Sequence, residues 1–186
     1  MHGHFRRRNL PHWHVSGATY FVTACLAGSL PARGTLAVAR RQNTAGTFRA
    51  FDACLDAAAA VRWLVDPRLA AVVDEAVRYQ DGRTCRVIAH VIMPSHCHVV
   101  FDTSMSVDAA PAALEQIMGQ FKRHTARACN RILGRTGSFW QAESYDRVVR
   151  DADELERVVR YVENNPVKAG LCERPERWRW SSAYVP

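Results

Sequence analysis

Residues 84–102, Thr-Cys-Arg-Val-Ile-Ala-His-Val-Ile-Met-Pro-Ser-His-Cys-His-Val-Val-Phe-Asp, constrain the fold more than any other part of the chain. Two runs rich in β-branched residues, 84–93 and 96–102, are separated only by Pro94-Ser95, and so short a connection makes the two strands antiparallel neighbours. Side chains alternate along a strand, so His96 and His98 project from one face and Cys97 from the other. The two imidazoles converge beside a tight turn, where a metal could be held rigidly and still be reached by solvent. They could also be half-buried sheet residues, and a bare His-x-His is too short a motif to exclude that.

The remaining elements follow from periodicity and capping. Residues 17–26, after a turn-like Val15-Ser16-Gly17, read as a first strand, and 143–149 as a fourth. Asp66-Pro67 caps a helix whose Leu69, Val72, Val73, Ala76 and Val77 recur at helical spacing. A second helix starts near Pro111, places Leu114, Ile117, Met118, Phe121, Ala128 and Ile132 on one face, and stops at Gly134. The last helix opens at a capping box, Asp151 with Glu154, buries Leu155, Val158, Val159 and Val162, and should end by Asn165 because Pro166 follows. The order βαββαβα implies an α+β fold, a ferredoxin-like antiparallel sheet with an additional C-terminal helix. Residues 27–60, punctuated by Gly28, Gly34 and Gly46, read as a variable insertion with a short helix near 47–60. The expected organisation is one domain over 1–186, with a basic N-terminal tail (1–14), that insertion, and a C-terminal tail (171–186).

Charge narrows the partner. The chain carries 25 Lys+Arg against 18 Asp+Glu, a formal charge of +7, which points to a polyanion. No run approaches the roughly 18 apolar residues of a spanning helix, and the basic start lacks the apolar stretch of a signal peptide. A cytoplasmic protein without membrane attachment is expected. Six scattered cysteines without a CxxC pair fit reduced thiols. Arg6, Arg7 and Arg8, with Lys122, Arg123, Arg127 and Arg131, are candidate contacts to a nucleic-acid backbone; they could also be solvated helix surface and, for the tail, a segment disordered without DNA. Trp178 and Trp180, among Arg174, Arg177 and Arg179, could stack on bases or dock the C-terminus onto the core. His2, His4, His12 and His14 receive no role.

The last helix adds chemistry. Tyr161 and Asn165 are four residues apart, within about 40° of each other around a helix axis. A phenolate is a competent nucleophile at phosphorus, and an amide oxygen can join two imidazoles as a third ligand. Such a nitrogen and oxygen set suits Mg²⁺ or Mn²⁺ and leaves positions open for water and a phosphate. Taken singly, Tyr161 is also an ordinary amphipathic residue at a helix edge, and Asn165 an ordinary residue before proline. Tyr145 is a rival nucleophile, but Asp146 beside it points to the opposite sheet face, which favours a structural Tyr145. Glu143 could assist the site or simply face solvent.

The strings His90-Val-Ile-Met-Pro-Ser-His-Cys-His-Val-Val-Phe101, Phe139-Trp-Gln-Ala-Glu-Ser-Tyr-Asp-Arg-Val-Val-Arg150 and Leu155-Glu-Arg-Val-Val-Arg-Tyr-Val-Glu-Asn-Asn-Pro-Val-Lys-Ala-Gly-Leu171 resemble the REP-associated tyrosine transposases, relatives of the insertion-sequence-200-like transposases. Asn9-Leu-Pro-His-Trp, Gly17-Ala-Thr-Tyr-Phe-Val-Thr and Trp178-Arg-Trp-Ser-Ser-Ala183 extend the likeness to nearly the whole chain outside 27–60. The resemblance implies that His96 and His98 are the His-hydrophobe-His metal ligands, that Tyr161 is the single nucleophilic tyrosine, and that Asn165 takes the place of a third ligand. It implies cleavage and rejoining of single-stranded DNA beside REP-like hairpins, through a 5′-phosphotyrosine link and a free 3′-hydroxyl. Cys97 departs from the bulkier aliphatic residues usual between the two histidines. Two other functions compete with this one. A catalytically silent DNA-hairpin-binding protein would keep the fold and charge. A zinc hydrolase built on His96 and His98 would need further strong ligands. Monomer and homodimer stay equally open.

Overall fold

The computed structural model describes residues 3–7, 11–15, 17–29, 60–104 and 114–186. The elements in chain order are β1 (Gly3–Arg7), β2 (Pro11–Val15), β3 (Thr19–Cys25), α1 (Pro67–Gln80), β4 (Arg86–Ile92), β5 (His96–Asp102), α2 (Leu114–Ile132), β6 (Tyr145–Val148) and α3 (Ala152–Lys168). The helix expected near 47–60 and the start of the second helix at Pro111 lie outside the described residues. β3 to α3 reproduce the expected order. The four long-range strands form one antiparallel sheet in the order β4-β5-β3-β6. β3 and β4 are therefore joined through α1 across the intervening β5, which is the split crossover of a ferredoxin-like sheet.

Two local expectations fail. The N-terminal tail is not without structure: β1 and β2 form an antiparallel two-stranded sheet in which Arg6 stands opposite His12. Backbone pairing across a short hairpin needs no apolar alternation, so a charged sequence gave no sign of it. The last helix does not stop before Pro166 but runs on to Lys168 with the proline inside it. Proline forfeits a single N–H so close to the helix end, and the Ala169 N–H to Asn165 and Leu171 N–H to Pro166 bonds close the turn around it.

Both faces of the sheet are covered. On one, Tyr20, Val22, Cys97, Val99 and Phe101 pack against Leu69, Val73 and Val77 of α1 and Ile117 and Phe121 of α2. On the other, Phe21, Val91, Val100 and Tyr145 pack against Val158 and Val162 of α3. Capping holds the helices in place. Asp66 accepts from the Arg68 N–H at 2.9 Å, with Pro67 at the first position of α1. Asp151 accepts from the Glu154 N–H at 2.7 Å. Glu154 does not complete the reciprocal box; its carboxylate accepts from the Arg150 N–H and pairs with Arg150 and Arg147. Burial alone would raise the Glu154 pKa, and these arginines outweigh it and hold the carboxyl below its usual range.

The C-terminal segment docks along the edge of β4. Trp178 Nε1 donates to the Ile92 carbonyl at 2.9 Å, the Ile92 N–H donates to the Trp180 carbonyl at 2.8 Å, and the Ser182 N–H donates to the His90 carbonyl at 2.9 Å. Pairing an edge strand in this way removes a row of exposed backbone groups.

Candidate functional site

His96 and His98 lie on the sheet face turned toward α3, and neither has exposed surface. The expectation of a site open to solvent is corrected here, because α3 and Phe21 pack directly over the pair. Their Nε2 atoms stand 3.1 Å apart, with ring centroids separated by 4.6 Å and planes at 69°. Each outer nitrogen is held by a hydroxyl: Thr23 Oγ1 lies 2.8 Å from His98 Nδ1, and Ser95 Oγ lies 3.0 Å from His96 Nδ1. The Phe21 ring stacks on His98 at 5.4 Å. Ring planes are thus fixed from behind, and both inner nitrogens are presented to one point.

α3 brings up the second half. Val158 and Val162 seat the helix on the sheet, which leaves Tyr161 half-buried at the helix edge. Its ring meets His98 at 5.9 Å and 63°, and meets Phe21 edge-on at 6.3 Å. Asn165, fully buried one turn on, donates from Nδ2 to the Tyr161 hydroxyl at 3.2 Å. In that orientation Oδ1 is the amide's remaining acceptor. Because the helix continues past Pro166, Lys168 also reaches this face, its ammonium 5.6 Å from the Tyr161 ring centroid.

The donor set suits a hard or borderline divalent cation. Two imidazole nitrogens already converge, hydroxyls hold their far sides, the Tyr161 ring adjoins His98, and the Asn165 amide bonds the phenol. Among the described residues no group of three His, Cys, Asp or Glu could hold a metal, so a closed zinc site of those ligands is not built. Cys97 points into the opposite core, and burial pushes its thiol up to about 12. None of the five described cysteines forms a disulfide.

The other candidates separate. Tyr145 is buried, its pKa raised chiefly by burial, and it pairs across from Thr23. Glu143 is half-buried, close enough to Lys122 to act on it electrostatically. Arg123, Arg127 and Arg131 are exposed along α2. Lys122 does not join them: its ammonium turns inward and donates to the Gln141 carbonyl at 2.9 Å. The side chains of Arg6, Arg7 and Arg8 lie outside the described residues. Thr23, Ser95 and Lys168 enter the site without having been singled out in sequence. An aliphatic hydroxyl inside the run Tyr20–Cys25, directly opposite His98 in register, was the available signal for Thr23.

Comparisons with known proteins bear on the family and the fold. Residues 62–165, more than half of the chain, match the family described as "Transposase IS200 like". A relative named "Putative REP-associated tyrosine transposase", from Haemophilus influenzae, is 28% identical over 100 residues. That match covers 51% of this chain and 57% of the relative, so the chain spans little over half the length of the relative it matches. A solved structure of a REP-associated tyrosine transposase bound to a REP hairpin superposes with a TM-score of 0.58 at 17% identity, covering 96% of this chain and 81% of that one. The structural likeness establishes the shared fold, and the family match establishes descent: the chain belongs to the IS200-like transposase family.

Proposed function

We propose that this protein cuts and rejoins single-stranded DNA next to hairpin elements, using Tyr161 as nucleophile and a Mg²⁺ or Mn²⁺ ion held by His96, His98 and Asn165. One observation carries the reading: two imidazole nitrogens 3.1 Å apart lie beside a phenol that the neighbouring Asn165 amide hydrogen-bonds. The bound cation would polarise the scissile phosphate and offset charge on the leaving oxygen.

The residues divide the work. The Tyr161 oxygen attacks phosphorus, the bond from phosphorus to the 3′-oxygen breaks, and the products are a 5′-phosphotyrosine and a free 3′-hydroxyl. Attack by that 3′-hydroxyl, or by another, reverses the step without an external energy source. The Asn165 N–H stabilises negative charge on the phenolic oxygen, and its amide oxygen would be the third protein ligand of the cation. Lys168 sets positive charge next to the phenol, where the phosphate must arrive. Arg123, Arg127 and Arg131 form an exposed basic row suited to the backbone of the same DNA. The REP hairpin bound by the structural relative supplies the class of partner.

The test is a denaturing gel of the protein incubated with single-stranded hairpin DNA and Mg²⁺ or Mn²⁺. A covalent protein–DNA adduct forms with wild type and is absent with Tyr161→Phe. Cutting that persists in Tyr161→Phe overturns the assignment of the nucleophile, and hairpin binding without any wild-type adduct favours the silent binder.

A further inference from the structure

The hydrogen bond between the two Nε2 atoms sets a condition on protons. With no cation between them, two nitrogens 3.1 Å apart attract each other only when one carries a hydrogen and the other a lone pair. A neutral pair is therefore two complementary tautomers. The ring donating from Nε2 has a bare Nδ1 that needs a donor, and its partner has an Nδ1–H that needs an acceptor. A carbonyl or carboxylate behind each ring could only accept. It would place Nδ1–H on both rings and set two Nε2 lone pairs against each other.

The groups behind the rings are hydroxyls, which can do either. Thr23 Oγ1 meets His98 Nδ1 at 2.8 Å and Ser95 Oγ meets His96 Nδ1 at 3.0 Å. Both residues are buried, Thr23 without exposed surface and Ser95 at 3%, so water does not substitute for them. We infer that Thr23 and Ser95 are positioning residues that keep the metal-free histidine pair in complementary tautomers and allow both rings to convert to the metal-binding form. On loading, the ring that carried Nε2–H loses that proton and gains one at Nδ1, with no net change of charge. Its hydroxyl partner turns from donor to acceptor. The other ring and its hydroxyl stay as they were. This inference rests on the proposed metal site.

The experiment pairs two readouts. Two-bond ¹H–¹⁵N correlation spectra of the metal-free protein report the tautomer of each histidine, and calorimetric titration with Mn²⁺ reports affinity. In wild type one ring is Nε2–H and the other Nδ1–H, and Mn²⁺ binds saturably. Thr23→Val and Ser95→Ala alter the tautomer pattern and weaken Mn²⁺ binding by about 10- to 100-fold, the usual range for removing a group that orients a ligand. Thr23→Ser restores both, which separates a lost hydroxyl from a disturbed fold. Two matching tautomers in the wild-type pair, or unchanged Mn²⁺ affinity in both hydroxyl-deletion variants, overturn the inference and leave the metal site standing. A wild type that binds Mn²⁺ no better than His96→Ala overturns the metal site and this inference together.

Discussion

His90 on β4 and His98 on β5 are both buried histidines one strand apart, yet they end on different kinds of partner. His90 Nε2 lies 2.7 Å from an Asp74 oxygen on α1, and the second Asp74 oxygen accepts from Arg78 at 2.8 Å. That imidazole turns its Nε2 to an acid on the two-helix side of the sheet, away from the converging pair. His98 Nε2 instead faces His96 Nε2, with a tyrosine and an amide close by. Burial is common to both, so burial does not single out the histidine proposed as a ligand. The mark is whether the imidazole nitrogen is consumed by a carboxylate or converges on another ligand.

Coverage of the sheet explains why the two sides differ. Four strands at about 4.8 Å spacing are roughly as wide as two helices of about 10 Å, and α1 with α2 close one face with a continuous apolar layer. α3 alone is too narrow for the opposite face, and Leu171 and Trp178 of the C-terminal segment pack beside it. Polar groups collect at the edge of that single helix: Thr23, His96, His98 and Asn165 are all buried there, and Tyr161 is the half-buried member.

The largest effect expected from this contrast is on chemistry. His98→Ala lowers adduct formation on hairpin DNA by at least about 10²- to 10³-fold, the scale for losing a group that stabilises transition-state charge. His90→Ala, at a comparable depth, leaves the adduct rate per folded molecule within a few-fold. Equal losses in the two variants, each normalised to the folded fraction, would erase the distinction between the paired and the converging histidine.

The next effect is on stability, and it runs the other way. Asp74→Asn removes the charge that His90 and Arg78 share, at about 1–3 kcal/mol in urea unfolding near pH 7. Burial alone would raise the Asp74 pKa, but the bonds from His90 and Arg78 dominate and hold it below its usual range. A carboxyl depressed in the folded state contributes stability above its unfolded pKa of about 3.9 and loses it as pH falls through the folded value. Wild type should therefore lose stability below about pH 4 more steeply than Asp74→Asn. Parallel acid limbs in the two proteins would show that the pair contributes nothing through charge.

Which parts of this arrangement were readable beforehand follows from how local their causes are. The β4–β5 pairing could be read because a Pro-Ser connection leaves no other geometry, and α1 because Asp66, Pro67 and its apolar spacing agree. Tyr161 and Asn165 share a helix face by arithmetic, so their hydrogen bond was implicit in the spacing. The β1–β2 pairing and the passage of α3 through Pro166 were hidden, since one rests on backbone bonds alone and the other on where along a helix the proline falls. Thr23 was hidden for another reason. Its role exists only in the register that sets it opposite His98, a relation between residues 75 positions apart, whereas Ser95 meets its own neighbour His96.

Lys122 was misplaced for a related reason, and it supplies the smallest effect. Its position among Arg123, Arg127 and Arg131 suggests one basic face, but the apolar side of α2 carries it inward to the carbonyls of Gln141 and Ala142. Burial pushes its pKa down to about 8, against the partial compensation of nearby Cys25, Cys97, Glu143 and Asp146. A lysine depressed in the folded state binds fewer protons there than in the unfolded chain between about pH 8 and 10.4. Its contribution therefore makes stability rise with pH across that window. The buried thiols work in the opposite sense: burial raises Cys97 and Cys129 to about 12, so the unfolded chain ionises first and stability falls. Neither trend can be read from wild type alone, and the measurement is the difference in unfolding free energy between wild type and Lys122→Met. That difference should move in favour of wild type from pH 8 to pH 10, by well under the effect of Asp74→Asn. A difference that stays constant across the window would mean that Lys122 keeps its ordinary pKa and belongs with the exposed arginines after all.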